Sequence, residues 1–202
     1  MPAATRPAAC ALGRVARRLA VGAAAIVAVA VPGIAYERLS PYAGGHYVNA
    51  ALGFAVELPR DMVACQLPAD RWREGIVLLP GRGASCAALD RVVAIVTVSG
   101  EPNTESLGDV DSLAASVCAH PTWGPVRVQP ARRAVAGLAT LSCVIQEESG
   151  TVAIEVVAQR ATAGPAATWT NLRATLLVRG DRWLEFTRLL DDVVARIGLL
   201  SP

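Results

Sequence analysis

Four cysteines and two histidines carry most of the side-chain chemistry that this 202-residue sequence offers. These cysteines are Cys65, Cys86, Cys118 and Cys143, and the histidines are His46 and His120; the fifth cysteine, Cys10, lies in the N-terminal segment. Cysteines pair as disulfides in an oxidising compartment, whereas Cys and His together can bind zinc or act as a nucleophile with its base. The compartment in which the chain folds therefore decides which chemistry applies.

The N-terminal segment predicts export from the cytoplasm. Four arginines precede any acidic residue, namely Arg6, Arg14, Arg17 and Arg18. Residues 19–31 then carry no polar side chain, and the small residues Gly33 and Ala35 follow. A basic start, an apolar run and small residues at its end are typical of a secretory signal peptide. We predict a signal peptide over residues 1–35, cleaved after Ala35, with Ala30 as the second choice.

The same segment could also stay in place as a membrane anchor. Residues 19–36 are eighteen in number, close to the ~20 residues that cross a bilayer, and Arg17 and Arg18 would hold their start in the cytoplasm. The pair Pro32-Gly33 interrupts the apolar segment, which favours cleavage. We expect a periplasmic or secreted bacterial protein, and the alternative is an inner-membrane anchored protein whose domain lies outside the cytoplasm.

The charge of the chain belongs to its N-terminal segment. The full sequence has a net charge of +2, and all 19 of its basic residues are arginines. Removing residues 1–35 takes away four arginines and no acid, which changes the net charge from +2 to −2. Arg132-Arg133 is then the only basic doublet. Because phosphate binding needs clustered positive charge, this composition argues against nucleic acid as a partner.

Outside the cytoplasm, the four cysteines beyond residue 35 predict two disulfides. Three pairings are possible, and we favour Cys65 with Cys86 and Cys118 with Cys143, because sequence neighbours are often spatial neighbours in a small domain. A zinc site that includes Cys118 and His120 is the alternative, but the spacing matches none of the usual zinc patterns. We therefore expect no metal and no other cofactor, and we place His120 at the end of a helix.

Hydrophobic periodicity predicts one domain of mixed structure over residues 46–200, after a linker at 36–45. The predicted strands are residues 46–50, 53–58, 75–79, 92–98, 126–129, 138–146, 151–159 and 172–178. The predicted helices are residues 111–119, with Asp109 or Asp111 as the N-cap, and 182–197, with Asp181 as the N-cap. A polar segment at 147–150 ends in glycine, so the strands on either side of it form a predicted hairpin.

The last predicted helix has the clearest pattern in the sequence. Its apolar side chains recur at steps of three and four residues and define one face: Trp183, Phe186, Leu190, Val193, Val194 and Ile197. We assign this face, including Trp183 and Phe186, to the core, because a helix after a strand usually packs back on the sheet. The opposite face is spaced for the ion pairs Glu185 with Arg188, Arg188 with Asp192, and Asp192 with Arg196.

The sequence contains no recognisable catalytic motif. It lacks a Gly-x-Ser-x-Gly nucleophile elbow, a P-loop and a dinucleotide-binding fingerprint. Its carboxylate pairs, such as Asp109 with Asp111, fall in predicted loops, turns or a solvated helix face rather than across a cleft. A Ser-His-Asp site assembled from distant residues stays open as an alternative, with His46 or His120 as its base.

A binding site is more compatible with the predicted loops. Residues 61–74 contain Cys65 and residues 80–89 contain Cys86, so a disulfide between them would hold both loops rigid at one end of the sheet. These loops also carry Arg71, Trp72, Arg73 and Arg82. Because Trp and Arg are enriched at interface hot spots, we predict that these four residues bind a partner protein. Alternatively, Trp72 only covers the edge of the sheet.

Three segments of the chain resemble the Mog1/PsbP-like fold, including small bacterial envelope proteins similar to DcrB. The first is Tyr47-Val48-Asn49 followed by Leu-Gly-Phe-Ala-Val-Glu-Leu-Pro at 52–59. The second is Ala136-Gly137-Leu138-Ala139 before a hairpin, and the third is Leu-Leu-Val-Arg-Gly-Asp at 176–181 before the final helix. The resemblance implies an α+β fold in which an antiparallel sheet is flanked by helices as an α/β/α sandwich.

Proteins of this fold serve mainly as binding or assembly factors, so the resemblance implies no catalytic site, and no binding residue can be carried over from it. We therefore expect an exported, non-enzymatic envelope protein that binds another envelope protein, in the role of an assembly factor, an inhibitor or an immunity protein. The alternative is a periplasmic hydrolase with a non-standard active site.

Overall fold

The computed structural model describes residues 39–67, 74–118, 126–146, 150–160 and 169–200. The predicted signal peptide and the predicted site residues Arg71, Trp72, Arg73 and His120 lie outside these ranges. No helix in the part of the chain that the structure describes is long and apolar enough to span a membrane.

Eleven strands and two helices make up the described domain, together with a short 3₁₀ turn at Leu89–Arg91. The first six strands are β1 (Ser40–Pro41), β2 (His46–Asn49), β3 (Phe54–Glu57), β4 (Met62–Gln66), β5 (Glu74–Pro80) and β6 (Ala94–Pro102). The remaining elements are α1 (Val110–Cys118), β7 (Val126–Val135), β8 (Leu138–Gln146), β9 (Thr151–Arg160), β10 (Thr170–Arg179), α2 (Trp183–Val194) and β11 (Ile197–Leu199).

All strand pairs are antiparallel, and they form two sheets. The main sheet has eight strands in the order β1-β4-β5-β6-β10-β9-β8-β7. A small sheet has three strands in the order β11-β3-β2, so the C-terminal strand pairs with a strand from the start of the domain. The predicted strands on either side of residues 147–150 do pair as neighbours, as β8 and β9.

The main sheet separates two apolar cores. Along β5, Ile76 and Leu78 pack in one core with α2 and the small sheet, whereas Val77 and Leu79 pack in the other core with α1. Successive side chains of a strand point to opposite faces, so this alternation places α1 on one face of the sheet and α2 on the other. The antiparallel sheet flanked by helices is therefore confirmed, with a small second sheet added on the α2 face.

Three short strands were not expected. Residues 40 and 41 of the predicted linker form β1, and residues 62–66 of the predicted loop around Cys65 form β4. The last predicted helix ends at Val194 instead of Ile197, and residues 197–199 form β11. β1 pairs with β4, β4 pairs with β5, and β11 pairs with β3. Hydrophobic periodicity within one segment does not record its pairing with another segment.

The two helices differ in how their N-termini are capped. Asp109 caps α1, because its carboxylate accepts the backbone N–H of Ser112 at 2.7 Å. This hydrogen bond is the main reason why the pKa of Asp109 lies below its ordinary value. The predicted cap of α2 is wrong: Arg182 occupies the N-cap position with no side-chain hydrogen bond to the helix, and Asp181 lies outside it.

The ion pairs at α2 and its two ends differ from the predicted ones. Glu185 pairs with Arg182, and Arg196 pairs with Glu57 of β3 at 3.5 Å. On the apolar face, Trp183 and Phe186 pack against the core but are only partly buried. The helix therefore seals the core through its C-terminal half, and the side chains of its first turns reach the surface.

Arg160 fastens the small sheet to the end of β9. Its guanidinium donates hydrogen bonds to the carbonyls of Gly53 and Leu200. Gly53 has a φ of +72°, and a methyl group on it would overlap the Arg160 guanidinium. The turn between β2 and β3 therefore needs glycine both for its backbone conformation and for the close approach of Arg160.

We expect Gly53→Ala to lower the free energy of unfolding by about 2–3 kcal/mol. Alanine is strained in the left-handed backbone conformation of this position, and its methyl group would also displace the Arg160 guanidinium from its hydrogen bonds. Gly81→Ala is the matched control, since Gly81 has a φ of +89° but open space around its Cα. The control should cost only about 1 kcal/mol. Urea denaturation measures both values, and equal losses would show that Arg160 contributes nothing at Gly53.

Tyr47 should make the protein sensitive to alkaline pH. Burial raises the pKa of its phenol above the ordinary value of 10.0, and the nearby charge of Glu74 adds to this, while a hydrogen bond with Asn49 opposes it. The folded state then holds the phenolic proton more tightly than the unfolded state, so stability is complete below about pH 10 and falls as the pH rises. The chain has no lysine that would titrate in this range.

The measurement is thermal unfolding between pH 8 and pH 11.5 for the wild type and Tyr47→Phe. We expect the loss of stability above pH 10 to be smaller in the variant, which has no phenol to ionise at this position. An equal loss in both proteins would contradict a role for Tyr47.

Candidate functional site

An open groove of about 600 Å³ lies at the end of the main sheet where β5 ends and β6 begins. Its floor consists of small residues from the connection between these strands: Gly81, Gly83, Ala84, Ser85 and Ala88. Its walls are Pro80, Arg91, Val92, Val93 and Phe186, the last from the first half of α2. The groove is therefore built by one loop, the start of one strand and one helix.

Hydrogen bonds and a disulfide fix the loop that forms the floor. Gly81 begins it with a left-handed backbone, and its N–H donates to the carbonyl of Asp61 at 3.2 Å. Two turns follow, in which Ala84 N–H donates to the carbonyl of Gly81 and Ala88 N–H to that of Ser85. The residues of these turns that line the groove are glycine, alanine and serine, and their small side chains leave the space above them open.

Both disulfides join the cysteines that the favoured pairing predicted. Cys65 in β4 is bonded to Cys86 in the groove loop, with 5.7 Å between their Cα atoms. Cys118 at the end of α1 is bonded to Cys143 in β8, with 6.2 Å between their Cα atoms. All four cysteines are buried in the core on the α1 face. Since disulfides persist in oxidising compartments, both bridges fit a location outside the cytoplasm.

The first disulfide does not tie two loops together as expected. Cys65 belongs to strand β4, so the bridge anchors the loop after β5 to the second strand of the main sheet. In the β4–β5 hairpin, Met62 lies opposite Pro80 at the groove end, whereas Gln66 lies opposite Ile76 at the other end. Gln66 and Ile76 therefore lie at the end of this hairpin that faces away from Gly81.

The structure describes one of the four predicted partner-binding residues. Arg82 is exposed and stands between two glycines of the groove floor. Arg71, Trp72 and Arg73 lie outside the described residues and stay a prediction. Sequence reasoning missed Arg91, Val93 and Phe186. Arg91 ends a 3₁₀ turn that was not predicted, Val93 fell in a predicted strand, and Phe186 was assigned to the core.

Apolar and basic side chains meet at this groove. Val93, which directly precedes the buried strand β6, is 49% exposed. Arg91 also lines the groove, and the exposed Arg82 belongs to the loop that forms its floor. Exposed apolar side chains combined with guanidinium groups are the composition found at protein interfaces.

His46, Asp109 and Asp111, which could take part in catalysis, lie where contacts stabilise the fold. His46 is exposed on β2, where its carbonyl accepts a hydrogen bond from the hydroxyl of Tyr42. The carboxylate of Asp109 caps α1, and Asp111 pairs with Arg132. Within the described ranges, no group of three or more His, Cys, Asp and Glu side chains is placed to bind a metal ion.

One buried polar cluster was not foreseen. Glu155 on β9 is only 1% exposed, and its Oε2 accepts the hydroxyl of Thr175 at 2.7 Å. Its Oε1 accepts Nη2 of Arg173 at 3.4 Å, and the Arg173 side chain is 13% exposed. The register of β9 and β10 places Glu155 opposite Thr175, so the sheet itself brings the cluster together. These residues lie in strands whose sequence reads as mostly apolar, and the pairing between the strands is what reveals them.

Comparison with known proteins shows the fold. No protein-family model and no curated protein matches the chain. Among solved structures, the chain is similar to cyanobacterial PsbP (CyanoP) from Synechocystis sp. PCC 6803, with a TM-score of 0.50 and 12% identity over 83% of this chain and 95% of that one. It is also similar to LpqN of Mycobacterium tuberculosis, described as involved in cell envelope biogenesis, with a TM-score of 0.43 and 8% identity over 81% of this chain and 91% of that one. The likeness to PsbP confirms the predicted resemblance at the level of the fold: the chain folds as a Mog1/PsbP-like domain.

Proposed function

We propose that this chain is an exported, non-enzymatic protein that binds another envelope protein through the groove between the Cys86 loop and α2. The observation that carries the proposal is the groove itself, which is open and has a volume of about 600 Å³. Its lining is mostly apolar with Arg91 at the rim, and a disulfide anchors its floor to the sheet. A rigid surface of this kind loses little conformational entropy when a partner binds.

Two features support a location outside the cytoplasm. Residues 1–35 have the composition of a signal peptide, and four buried cysteines form two disulfides. Both are compatible with a periplasmic or secreted protein, and also with a protein that is held at the inner membrane by residues 19–36.

The position of β1 supports access to the groove whether residues 1–35 are cleaved or residues 19–36 stay in the membrane. Ser40 lies opposite Gln66, so the chain enters the domain at the end of β4 that is distant from the groove. The five residues of β4 separate the two ends by about 15 Å. If residues 19–36 stay in the membrane, the groove faces away from the end of the sheet that is tethered.

In-cell photo-crosslinking tests the proposal. A photoreactive amino acid is placed at Val93 in the groove or, as a matched control, at the exposed Glu105 near the opposite end of the sheet. We expect a discrete adduct with one envelope protein from Val93 but not from Glu105, and mass spectrometry identifies the partner. Identical adducts from both positions, or none from Val93, would contradict binding at the groove.

A further inference from the structure

One positive charge stands among the uncharged residues that line the groove. It belongs to Arg91, which is exposed, and every other lining residue is glycine, alanine, serine, proline, valine or phenylalanine. Arg91 makes no ion pair and no side-chain hydrogen bond with any residue in the part of the chain that the structure describes. The donors of its guanidinium are therefore available to a partner.

Other arginines of the domain already have a counter-charge within the chain. Arg132, Arg182 and Arg196 form ion pairs with acidic residues, and Arg173 pairs with Glu155. These pairs lie on both helices, on the small sheet and inside the main sheet, so an arginine of this domain is commonly neutralised by its own surroundings. The unpaired guanidinium in the groove departs from that pattern.

Two further unpaired arginines lie at the same end of the main sheet. Arg60 and Arg82 are exposed, and neither forms an ion pair with another described residue. Arg60 precedes Asp61, whose carbonyl accepts the N–H of Gly81 in the groove floor, and Arg82 follows Gly81. Among the described side chains of these two connections, the guanidinium groups of Arg60, Arg82 and Arg91 therefore outnumber the carboxylate of Asp61.

A protein that covers the groove has to offer an acceptor to Arg91. Taking a guanidinium out of water without a counter-charge is unfavourable, and no acidic residue lines the described groove to compensate for it. A carboxylate is the best match, because it accepts two parallel hydrogen bonds from one guanidinium. Val92 and Val93 directly follow Arg91, and Phe186 also lines the groove, so apolar side chains next to that carboxylate would meet apolar walls.

We propose that the groove binds a segment of the partner protein in which an acidic residue stands next to aliphatic or aromatic residues. The carboxylate of this segment pairs with Arg91, and its apolar side chains pack on Val93 and Phe186. Arg60 and Arg82 attract the acidic segment over a longer range, which makes its association sensitive to salt. The inference rests on the proposed function of the groove and adds the chemistry of the partner.

Amide chemical shifts of the ¹⁵N-labelled protein test the inference with two probes, the peptide acetyl-Ala-Leu-Asp-Phe-Ala-amide and its uncharged control acetyl-Ala-Leu-Asn-Phe-Ala-amide. We expect the acidic peptide to shift Ser85, Val92 and Val93 and to bind about tenfold more tightly than the control, or about 1.4 kcal/mol. Arg91→Gln should abolish this difference. Arg188→Gln should keep it, because Arg188 is an exposed arginine of α2 that has no described partner and does not line the groove.

Three results would overturn the inference: equal affinity for the two peptides, no shifts from the acidic peptide at millimolar concentration, or an unchanged preference for it in Arg91→Gln. The photo-adduct at Val93 separates these results from a failure of the proposed function. An adduct whose cross-linked segment has no acidic residue overturns the inference and leaves the proposed function intact, whereas the absence of any adduct from Val93 contradicts both.

Discussion

Glu155→Ala is expected to lower the free energy of unfolding by about 3–5 kcal/mol. The carboxylate is 1% exposed, and it accepts hydrogen bonds from Thr175 at 2.7 Å and from Arg173 at 3.4 Å. Removing it leaves the guanidinium of Arg173 mostly buried without its counter-charge. The hydroxyl of Thr175 also loses its acceptor, and such an unpaired buried group adds to the cost.

Two further variants separate charge from packing. Glu155→Gln keeps the volume and an acceptor for Thr175, so it should cost less than Glu155→Ala. Glu155→Leu combined with Arg173→Met removes both charges and should recover most of the stability, because an apolar pair of similar volume often replaces a buried ion pair at little cost. Urea denaturation measures all three, and a loss below about 1 kcal/mol for Glu155→Ala would contradict the account.

The second large effect is expected from the groove disulfide. Replacing Cys65 and Cys86 together by alanine should lower the free energy of unfolding by about 3 kcal/mol, since the bridge closes a loop with a sequence separation of 21. The same change at Cys118 and Cys143, with a separation of 25, should cost about the same. The two variants are therefore matched in stability.

The two double-alanine variants should differ in how well they bind the partner protein at the groove. Only the bridge at Cys86 anchors the groove floor, so the Val93 adduct should be lost in the first variant and kept in the second. Loss of the adduct in both variants would show that binding follows overall stability, and its presence in both would show that the groove needs no anchored loop.

Local patterns predicted much of this fold. The alternation of Phe54 and Val56 predicted β3, and the spacing of Leu190, Val193 and Val194 predicted the buried face of α2. These signals are carried by residues that are close together in the sequence. They are strong because burial on one face selects apolar side chains at a fixed period.

Long-range pairing was harder to predict. Strand β11 exists because Ile197 and Leu199 pair with β3, which lies more than 130 residues earlier in the chain. The groove residue Phe186 follows the apolar period of α2 as a core residue would, but the helix seals the core only further along, from Leu190. Both outcomes depend on how elements dock, which a single sequence does not encode in its local period.

The candidate site was predicted only in part. The reasoning from disulfides selected the loop that contains Cys86 and Arg82, and this loop does form the groove. Pairing Arg82 with the segment around Trp72 assumed that Cys65 lies in a loop, but Cys65 lies in strand β4. Arg71, Trp72 and Arg73 lie outside the described residues, so their part in the site stays a prediction.

The central claim is that the groove binds a partner, and the yield of the Val93 photo-adduct in living cells tests it most directly. The yield is compared between the unsubstituted groove, Arg91→Glu, which inverts the charge at the rim, and Arg196→Glu, a charge-matched control on the surface pair with Glu57. We predict at least a tenfold lower yield for Arg91→Glu and an unchanged yield for Arg196→Glu. Equal yields in all three proteins would contradict the account.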